Sequence, residues 1–310
     1  MKIAILGANG FLGQALSKRL ALESGCDLIL FSRTISSDLR KLESYSHINI
    51  VQGDYKNGLD VLPVIKNQDI VFHLISNSVP SSSWLEPGLE IEFNLLPTIK
   101  LFQLCAESGV SKIVFTSSGG TVYGDKQVCE ISENFPLKPF SPHGITKVAI
   151  EHYLNYFKRK SGLNYDIYRI SNLYGLGQKK VGFGVINTWL RAAKNDEPLK
   201  LFGNGENVKD YIFIDDAVEL MMNSLSDLDE SQVYNLCSGM GISLNAIIDI
   251  IKAITDKKIS VVKRPSPLSD NRMVILSNQK LLLQNPDFNM TPLQVGIKRV
   301  WDSINSQSKM

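Results

Sequence analysis

Cysteine, long apolar runs and net charge are all scarce in this 310-residue sequence. Its four cysteines have no metal-like spacing and lie in different segments, so we expect free thiols in a reducing compartment. No apolar run approaches the roughly 20 residues that cross a bilayer, and the N-terminus enters its first apolar segment without a charged leader. These absences predict a soluble, cytoplasmic protein with no membrane partner. The cysteines are Cys26, Cys105, Cys129 and Cys237.

Basic and acidic residues nearly balance, at 33 and 31, which leaves a net charge of +2 at pH 7. Nucleic-acid binding normally needs a concentrated basic face, so no nucleic-acid partner is expected. The adjacent Asp215 and Asp216 could be paired catalytic carboxylates or metal ligands, but acidic residues in the first turn of a helix explain them more simply. We therefore predict no metal site.

Short, nearly continuous apolar segments alternate with segments of helical periodicity as far as Asn172. Such segments are typical of strands buried on both faces of a parallel sheet. Their alternation with helices predicts an α/β fold, a doubly wound parallel sheet with right-handed crossovers. The predicted strands cover residues 3–6, 28–31, 48–51, 70–75, 113–117 and 165–170.

Three glycines, Gly7, Gly10 and Gly13, follow the first predicted strand and open an amphipathic helix. Gly7 permits a sharp turn, Gly10 removes a Cβ where a pyrophosphate must approach the backbone, and Gly13 lets the helix pack closely on the sheet. The helix N-terminus then offers free N–H donors and a partial positive charge to the phosphates. A glycine-rich turn without a ligand is the alternative, but the strand-turn-helix context favours a dinucleotide site of Rossmann type. The other loop residues predicted to bind the cofactor are Asn9, Phe11 and Leu12.

The end of the second predicted strand indicates which dinucleotide is bound. An NAD site usually places an acidic residue there to hold the ribose 2′-hydroxyl, whereas this chain has Ser32 followed by Arg33. Asp27 lies at the opposite end of the same strand. A neutral serine beside an arginine suits a 2′-phosphate, so NADP is favoured over NAD. NAD remains the alternative if Arg33 is simply exposed to solvent beside an NAD site that lacks the usual acidic residue.

Two further segments complete a family pattern. Residues 116–124 read Thr-Ser-Ser-Gly-Gly-Thr-Val-Tyr-Gly, and residues 141–147 read Ser-Pro-His-Gly-Ile-Thr-Lys. With the glycine loop, they resemble the extended short-chain dehydrogenase/reductases of the NAD-dependent epimerase/dehydratase family, which modify nucleotide sugars. The resemblance covers nearly the whole chain. It implies a Rossmann-type dinucleotide-binding domain over residues 1–172 and a smaller α/β substrate lobe over residues 173–310, with some strands of the lobe returning to the main sheet.

The resemblance also implies further cofactor contacts and a dimer. Asp54 matches the residue that lines the adenine pocket, Leu74 and Ser76 match positions along the cofactor, and Asn94 matches the family's helix asparagine. The family's homodimer forms through helices that correspond to residues 91–107 and 142–158. Both segments carry more apolar residues than one buried face needs.

The catalytic segment of the family reads Tyr-x-x-x-Lys, in which the tyrosine is the acid/base, and the lysine binds the ribose hydroxyls of the nicotinamide cofactor and lowers the pKa of the tyrosine. Here Lys147 is present, but His143 occupies the tyrosine position. Residues four apart on a helix share one face, so both can reach one ligand. Neutral imidazole is a competent base near pH 7, either directly or through a water or Tyr123. Because Gly119 removes the neighbouring hydroxyl as well, an acid/base that is impaired or acts through a relay is favoured; if it is impaired, His143→Tyr should raise the rate.

The family's serine or threonine that shares the substrate hydroxyl corresponds to Gly119, and either Ser118 or Thr121 beside it could supply the missing hydroxyl. The resemblance also places side chains on the substrate diphosphate. One of them is Lys209, where the family usually has arginine, and lysine keeps the charge but loses the bidentate fork. The predicted substrate-binding residues are Ser118, Asn172, Phe202, Lys209 and Arg264.

Three functions are compatible with these residues. The leading hypothesis is an epimerase of the UDP-glucose 4-epimerase-like group, which oxidises C4 of a UDP- or dTDP-linked sugar, rotates the keto intermediate and returns the hydride to the other face. An NADPH-dependent 4-keto-sugar reductase is the nearest rival, and Arg33 favours it. A nucleotide-sugar or dinucleotide-binding protein with little catalysis is the third, favoured by His143 and Gly119. A dehydratase is disfavoured, because the Thr-Asp-Glu triplet expected before Val-Tyr-Gly is absent.

Overall fold

Seven parallel strands form the main sheet of the computed structural model, which describes residues 1–78, 80–124, 130–178, 184–266 and 273–306, with the backbone alone at 80–82. Cys129 lies outside these ranges, and the other three cysteines are buried free thiols. Taken over all sheets, the strands of the described residues are β1 (Lys2–Leu6), β2 (Asp27–Ser32), β3 (Ile48–Gln52), β4 (Ile70–His73), β5 (Lys112–Ser118), β6 (Asn164–Ile170), β7 (Asn172–Tyr174), β8 (Leu199–Phe202), β9 (Val208–Phe213), β10 (Gln232–Leu236), β11 (Gly241–Ser243), β12 (Val261–Arg264) and β13 (Met273–Val274).

Helices connect these strands. The α-helices are α1 (Phe11–Leu20), α2 (Ser37–Arg40), α3 (Gly58–Ile65), α4 (Pro80–Leu85), α5 (Pro87–Glu90), α6 (Leu96–Glu107), α7 (Pro142–Ser161), α8 (Val185–Lys194), α9 (Ile214–Met221), α10 (Leu244–Thr255), α11 (Gln279–Gln284) and α12 (Leu293–Ser306). A π-helical turn (Ile91–Leu95) joins α5 to α6, and 3₁₀ turns cover Lys41–Ser44 and Met222–Leu225.

The order of the main sheet is β3-β2-β1-β4-β5-β6-β10. Its pairs are parallel, and Ile3 lies opposite Leu28 on one side and Ile70 on the other. The strand order reverses between β1 and β4, and sheets of this kind bind ligands in the crevice at the carboxyl ends of the strands beside the reversal. The predicted doubly wound Rossmann-type sheet is confirmed.

The core lies on both faces of this sheet, because successive side chains of a strand point to opposite faces. Ile3 and Ile5 of β1 belong to a buried cluster with Leu16 of α1. Ala4 and Leu6 of β1 belong to a second buried cluster, which contains residues of α3, α6 and α7. This arrangement explains why the predicted strands are apolar throughout and show no alternation.

The chain after β6 builds two smaller sheets. One contains β11, β9 and β13, with β7 paired to β9, and the other contains β8 and β12. β10 leaves this region and joins the main sheet beside β6, where Tyr234 lies opposite Tyr168 with the two rings stacked at 5.4 Å. The boundary at residue 172 and the assignment of residues 173–310 to a substrate lobe stay predictions.

None of the helices in the described ranges is long and apolar enough to span a bilayer. Over the same ranges, no three side chains of histidine, cysteine, aspartate or glutamate come together as metal ligands. Asp216, in the first turn of α9, accepts hydrogen bonds from the Thr291 N–H at 2.8 Å and from its hydroxyl at 2.7 Å. Its carboxylate therefore fixes the chain that leads into α12.

Candidate active site

The glycine loop between β1 and α1 is shaped by backbone contacts that exclude side chains. Gly7 has φ +94°, a left-handed conformation that favours glycine. A Cβ on Gly13 would lie 2.1 Å from the Gly7 carbonyl oxygen, which leaves no room for a side chain. Gly10 caps α1 with extended backbone and donates its N–H to that same oxygen at 2.9 Å. The loop therefore presents backbone at the N-terminus of α1, as a pyrophosphate site requires.

A cleft of about 160 Å³ opens beside this loop at the carboxyl ends of β1, β2 and β4. None of the described residues that line it is acidic. Glycine backbone on one side, and a hydroxyl and a guanidinium on the other, fit the pyrophosphate and the adenosine ribose of a dinucleotide. The predicted cofactor residues that line the cleft are Gly7, Gly10, Ser32, Arg33, Leu74 and Ser76.

Three other loop residues support the cleft without lining it. Asn9 donates its side-chain amide to Thr34 Oγ1 at 3.1 Å and accepts from the Ser36 N–H at 3.2 Å, which fixes the chain after β2. The side chains of Phe11 and Leu12 pack against the core. Neither side chain lines the cleft.

Several lining residues were missed by the sequence analysis. Gly53 and Tyr55 line the cleft, whereas the Asp54 carboxylate between them accepts a hydrogen bond from the Lys56 N–H at 3.0 Å. Asn77 also lines the cleft. The signal that could have identified them is their position directly after β3 and β4, at the ligand-binding edge of the sheet.

Hydrogen bonds connect the rim of this cleft to the predicted catalytic residues. Exposed Arg33 donates from Nη2 to Asn77 Oδ1 at 3.0 Å, and the Asn77 N–H donates to Asn94 Oδ1 at 2.9 Å. The Asn94 amide then donates to Ser78 Oγ at 3.0 Å. Ser78 Oγ lies 3.3 Å from Nδ1 of His143. Asn94 therefore links the two parts of the site.

His143 and Lys147 lie on one face of α7, close to its N-terminus. The helix begins at Pro142, after Ser141 accepts the Gly144 N–H at 3.2 Å, and proline at the first helical position suits this start. Both His143 and Lys147 are buried, at 7% exposure each. Lys147 Nζ donates to the Thr116 carbonyl at 2.8 Å. Burial lowers the pKa of Lys147 to about 8.

A buried carboxylate, missed by the sequence analysis, faces the imidazole. Glu90 of α5 is 2% exposed, and its Oε1 lies 3.6 Å from Nδ1 of His143. Burial lowers the pKa of His143, Glu90 opposes that shift, and the charge of Lys147 adds to it. Burial alone would raise the pKa of Glu90, but the neighbouring His143, Ser78 and Asn94 side chains outweigh this effect and lower the pKa, which keeps the carboxyl ionised. The available signal was an acid four residues before Asn94, on the same helical face.

At Gly119, where the family has a serine or threonine, the surrounding residues leave no room for a side chain. A Cβ on Gly119 would lie 2.3 Å from Leu276 Cδ1 and 3.0 Å from the Arg169 carbonyl oxygen, so a serine does not fit without movement. Ser118 ends β5 and is half-buried. Thr121 Oγ1 is buried and has no hydrogen-bond partner among the described residues. Ser118 and Thr121 therefore carry the hydroxyl groups on either side of Gly119 in the chain.

Tyr123 is committed to a buried network. Its hydroxyl donates to Asn235 Oδ1 at 2.7 Å and accepts from Arg169 at 2.8 Å. Arg169 in turn pairs with Glu151 at 2.7 Å. Burial raises the pKa of Tyr123 to about 12. A proton relay from His143 through Tyr123 is therefore not supported, because the phenol is already engaged.

Apart from Ser118 at the end of β5, the predicted substrate residues fall into two places. Phe202 and Arg264 are paired across β8 and β12, and both are exposed. Asn172 donates its amide to the Asp210 carbonyl at 2.9 Å, beside Lys209 on β9. The strand pairings thus bring together Phe202 with Arg264, and Asn172 with the segment that carries Lys209.

Comparisons with known proteins agree with this geometry. Residues 3–237 match the model of the NAD dependent epimerase/dehydratase family. The chain is 30% identical over 253 residues to a putative UDP-glucose 4-epimerase of Methanocaldococcus jannaschii, covering 81% of each chain. It is 31% identical over 286 residues to a dTDP-4-dehydro-6-deoxyglucose reductase of Escherichia coli, covering 90% of this chain and 89% of the relative. The crystal structure of UDP-glucose 4-epimerase from Thermotoga maritima with UDP-glucose superimposes with a TM-score of 0.92 at 26% identity, covering 99% of this chain and 100% of that one.

Proposed function

Because the chain belongs to the NAD dependent epimerase/dehydratase family, we propose that it is a nucleotide-sugar 4-epimerase in which His143 takes the place of the family's catalytic tyrosine. The observation that carries this proposal is the hydrogen-bonded path from the dinucleotide cleft to the imidazole, through Asn77, Asn94 and Ser78. A binding protein needs no such path. An oxidoreductase needs the cofactor site and the acid/base side by side.

The nucleotide cofactor is held by the cleft at the edge of the main sheet. The N-terminus of α1, with Gly7 and Gly10, receives the pyrophosphate, and Ser32 and Arg33 receive the adenosine ribose. When bound, a nicotinamide dinucleotide accepts and returns hydride at the sugar carbon. We propose NADP as the preferred form because no acidic side chain among the described lining residues is placed to bind a 2′-hydroxyl. The family's description as NAD dependent makes NAD the competing form.

The acid/base chemistry falls to His143. Its lowered pKa keeps the imidazole neutral near pH 7, so it can accept the proton of the sugar C4 hydroxyl during oxidation and return it during reduction. Lys147, with a pKa of about 8, is mostly protonated at that pH. Its positive charge, held on the same helical face, stabilises the oxygen as the proton leaves. The hydroxyl of Ser118 or Thr121 completes the contact with the substrate oxygen.

The substrate is a UDP- or dTDP-linked sugar. The Thermotoga maritima epimerase was crystallised with UDP-glucose, and the Escherichia coli relative acts on a dTDP-linked sugar. In this chain, Asn172, Lys209 and Arg264 bind the diphosphate, and Phe202 contacts the rest of the nucleotide. Cations and an amide suit a diphosphate because charge-assisted hydrogen bonds to phosphate are strong.

A 4-keto-sugar reductase is the second candidate. Two observations favour it: Arg33 at the cleft, which suits a cofactor that is consumed and released as NADP, and the 31% identity to the Escherichia coli reductase. In this reaction His143 donates a proton to the C4 oxygen once per turnover. Its lowered pKa makes the imidazolium a strong acid but a scarce one at neutral pH.

A homodimer is proposed from the exposed apolar side chains near α6 and α7. Leu96 is 48% exposed and Tyr156 is 49% exposed, although both lie on helices that also bury an apolar face. Large apolar side chains grouped on a surface are typical of a protein interface. A second copy of the chain that packs against these helices would cover them.

The experiment that tests the proposed function is incubation of the purified protein with UDP-, dTDP- and GDP-sugars and with a dTDP-4-keto-sugar. NAD or NADPH is supplied in parallel reactions, and products are identified by NMR. Interconversion of C4 epimers with no net use of cofactor supports the epimerase. Stoichiometric loss of NADPH with the keto-sugar supports the reductase, and binding without turnover supports the non-catalytic alternative. Lys147→Met is the negative control: it removes the positive charge from the same face of α7, so it should lose turnover if the observed activity belongs to this site.

A further inference from the structure

The carboxylate of Glu90 is buried with one oxygen left unpartnered. Its Oε2 accepts from the Asn94 amide at 2.9 Å, but its Oε1 has no hydrogen-bond partner among the described residues. The nearest cation-forming group is the His143 imidazole, whose Nδ1 lies 3.6 Å from Oε1. A buried acceptor without a partner is costly. A modest approach of the two side chains satisfies it, and catalytic hydrogen bonds of free enzymes are often this long.

The groups around Nδ1 determine which ring nitrogen holds the proton. An ionised carboxylate can only accept hydrogen bonds. Ser78 Oγ, at 3.3 Å from Nδ1, already accepts a hydrogen bond from the Asn94 amide. Its single O–H can be donated either to Nδ1 or to the Glu90 carboxylate, but not to both. A proton on Nδ1 therefore satisfies Glu90, and the lone pair of the neutral ring then lies on Nε2. Nε2 is the ring nitrogen farther from the backbone, so this tautomer also gives the short imidazole its longer reach toward a substrate.

We propose that Glu90 is a positioning residue that holds the Nδ1–H tautomer of His143, so that Nε2 is the atom that exchanges a proton with the sugar C4 hydroxyl. The assignment of the sugar proton rests on the proposed function, whereas the tautomer is a property of the free protein. The same logic, a carboxylate that orients a histidine acting on a hydroxyl, operates in serine hydrolases.

The proton balance of the step is simple. In the oxidation, the C4 hydroxyl gives its proton to Nε2 while C4 gives hydride to the oxidised nicotinamide dinucleotide, and a C4 carbonyl remains. The imidazolium that forms has two charged neighbours, Glu90 from α5 and Lys147 from the next turn of α7. Glu90 stabilises the added charge and Lys147 opposes it. In the reduction, hydride and the same proton return to C4 and its oxygen.

The test begins with the tautomer in the free wild-type protein. Long-range ¹H–¹⁵N correlations distinguish Nδ1–H from Nε2–H, and the His143 signals are those that disappear in His143→Tyr. Nδ1–H in the wild type, and its loss or mixing in Glu90→Gln, are the expected results. An Nε2–H tautomer in the wild type overturns the proposal even if Glu90→Gln fails to fold. Glu92→Gln is the matched control, because Glu92 is an exposed acid two positions away on the chain.

Kinetics provide the second measurement. Glu90→Gln should lower kcat about 10- to 100-fold, by analogy with carboxylates that orient a metal-bound histidine, with KM nearly unchanged. The acid limb of its pH profile should move to lower pH, since the carboxylate that favours the imidazolium is gone. Glu90→Asp should recover part of the rate. An unchanged tautomer and unchanged kcat in Glu90→Gln overturn the inference, whereas a Glu90-dependent tautomer in a protein without turnover overturns only the proposed function.

Discussion

Leu276 occupies the space above Gly119, since a Cβ at residue 119 would lie 2.3 Å from Leu276 Cδ1. Leu276 is fully buried, in a small cluster with Val122 and Tyr123. The missing hydroxyl at residue 119 is therefore not simply a deleted side chain, because the surrounding core has filled its place. Restoring the family residue requires the core to move.

Gly119→Ser should accordingly destabilise the protein without improving catalysis. Overpacking of a core usually costs about 1–3 kcal/mol, and the backbone oxygen of Arg169, 3.0 Å from the added Cβ, cannot move as freely as a side chain. The free energy of unfolding, measured by urea denaturation, checks this. Gly120→Ser is the control, because nothing lies within 4 Å of a Cβ at residue 120. Equal stability of the two variants, or a faster Gly119→Ser enzyme, would contradict the prediction.

His143→Ala should lose about 10²- to 10⁴-fold in kcat, the range for a lost general acid/base. His143→Tyr restores the family motif, yet we expect it to be slower than the wild type. The buried Glu90 carboxylate beside that position would raise the pKa of a phenol and keep it protonated, so that it could not act as a base. Steady-state kinetics on the three proteins decide between the alternatives. A gain of rate in His143→Tyr would mean that the position is impaired.

The pH profile of kcat should be bell-shaped. His143 must be neutral to accept a proton, and its pKa lies below the ordinary value of 6.5, so the acid limb lies below that pH. Lys147 must be charged, and its pKa of about 8 places the alkaline limb there, with the rate falling as the pH rises further. Lys147→Arg should remove the alkaline limb, because arginine keeps its charge. An alkaline limb that persists unchanged in Lys147→Arg would assign it to another group.

NADP should bind more tightly than NAD, and Arg33→Ala should weaken NADP at least tenfold, about 1.4 kcal/mol, with little effect on NAD. The physical reason is that the Arg33 guanidinium at the cleft rim can bind a 2′-phosphate. Calorimetry with each dinucleotide measures this. Arg40→Ala, an exposed arginine on α2, is the control. If NAD binds tenfold more tightly to the wild type, the preference is the reverse of the one proposed.

The chain should be a dimer at micromolar concentration, and Tyr156→Glu should make it a monomer. A charge on the exposed part of α7 would have to be desolvated within the interface. Light scattering gives the mass. Leu283→Glu serves as the control, because Leu283 is 82% exposed on α11, away from the proposed interface. A monomeric wild type would exclude this interface.

The main sheet and the glycine loop could be predicted because their signals are local. Apolar segments of strand length and glycines at fixed spacing report on their own neighbourhoods. The fourth strand was predicted to reach residue 75 but ends at His73, because the following residues turn out to line the cleft. An apolar composition suits both a strand and the wall of a pocket, so it does not distinguish them.

The partners of the proposed catalytic residues could not be predicted, because they arise from contacts between distant segments. Glu90 meets His143 only when α5 packs against α7. Likewise, the commitment of Tyr123 to Asn235 depends on β10 entering the main sheet. No periodicity in the sequence reports such contacts. Such contacts depend on the order of the strands in the sheet and on how the helices pack against one another.

β10 is also the edge strand of the main sheet beside β6, although the chain reaches it only after passing through β7, β8 and β9 of the smaller sheets. A fragment cut after residue 172 would lack this strand and would present the edge of β6, with Tyr168 uncovered, to other chains. Unpaired edges of this kind recruit further strands and aggregate. The fragment that ends at residue 172 is therefore expected to be insoluble by itself, and the whole protein should unfold in a single transition.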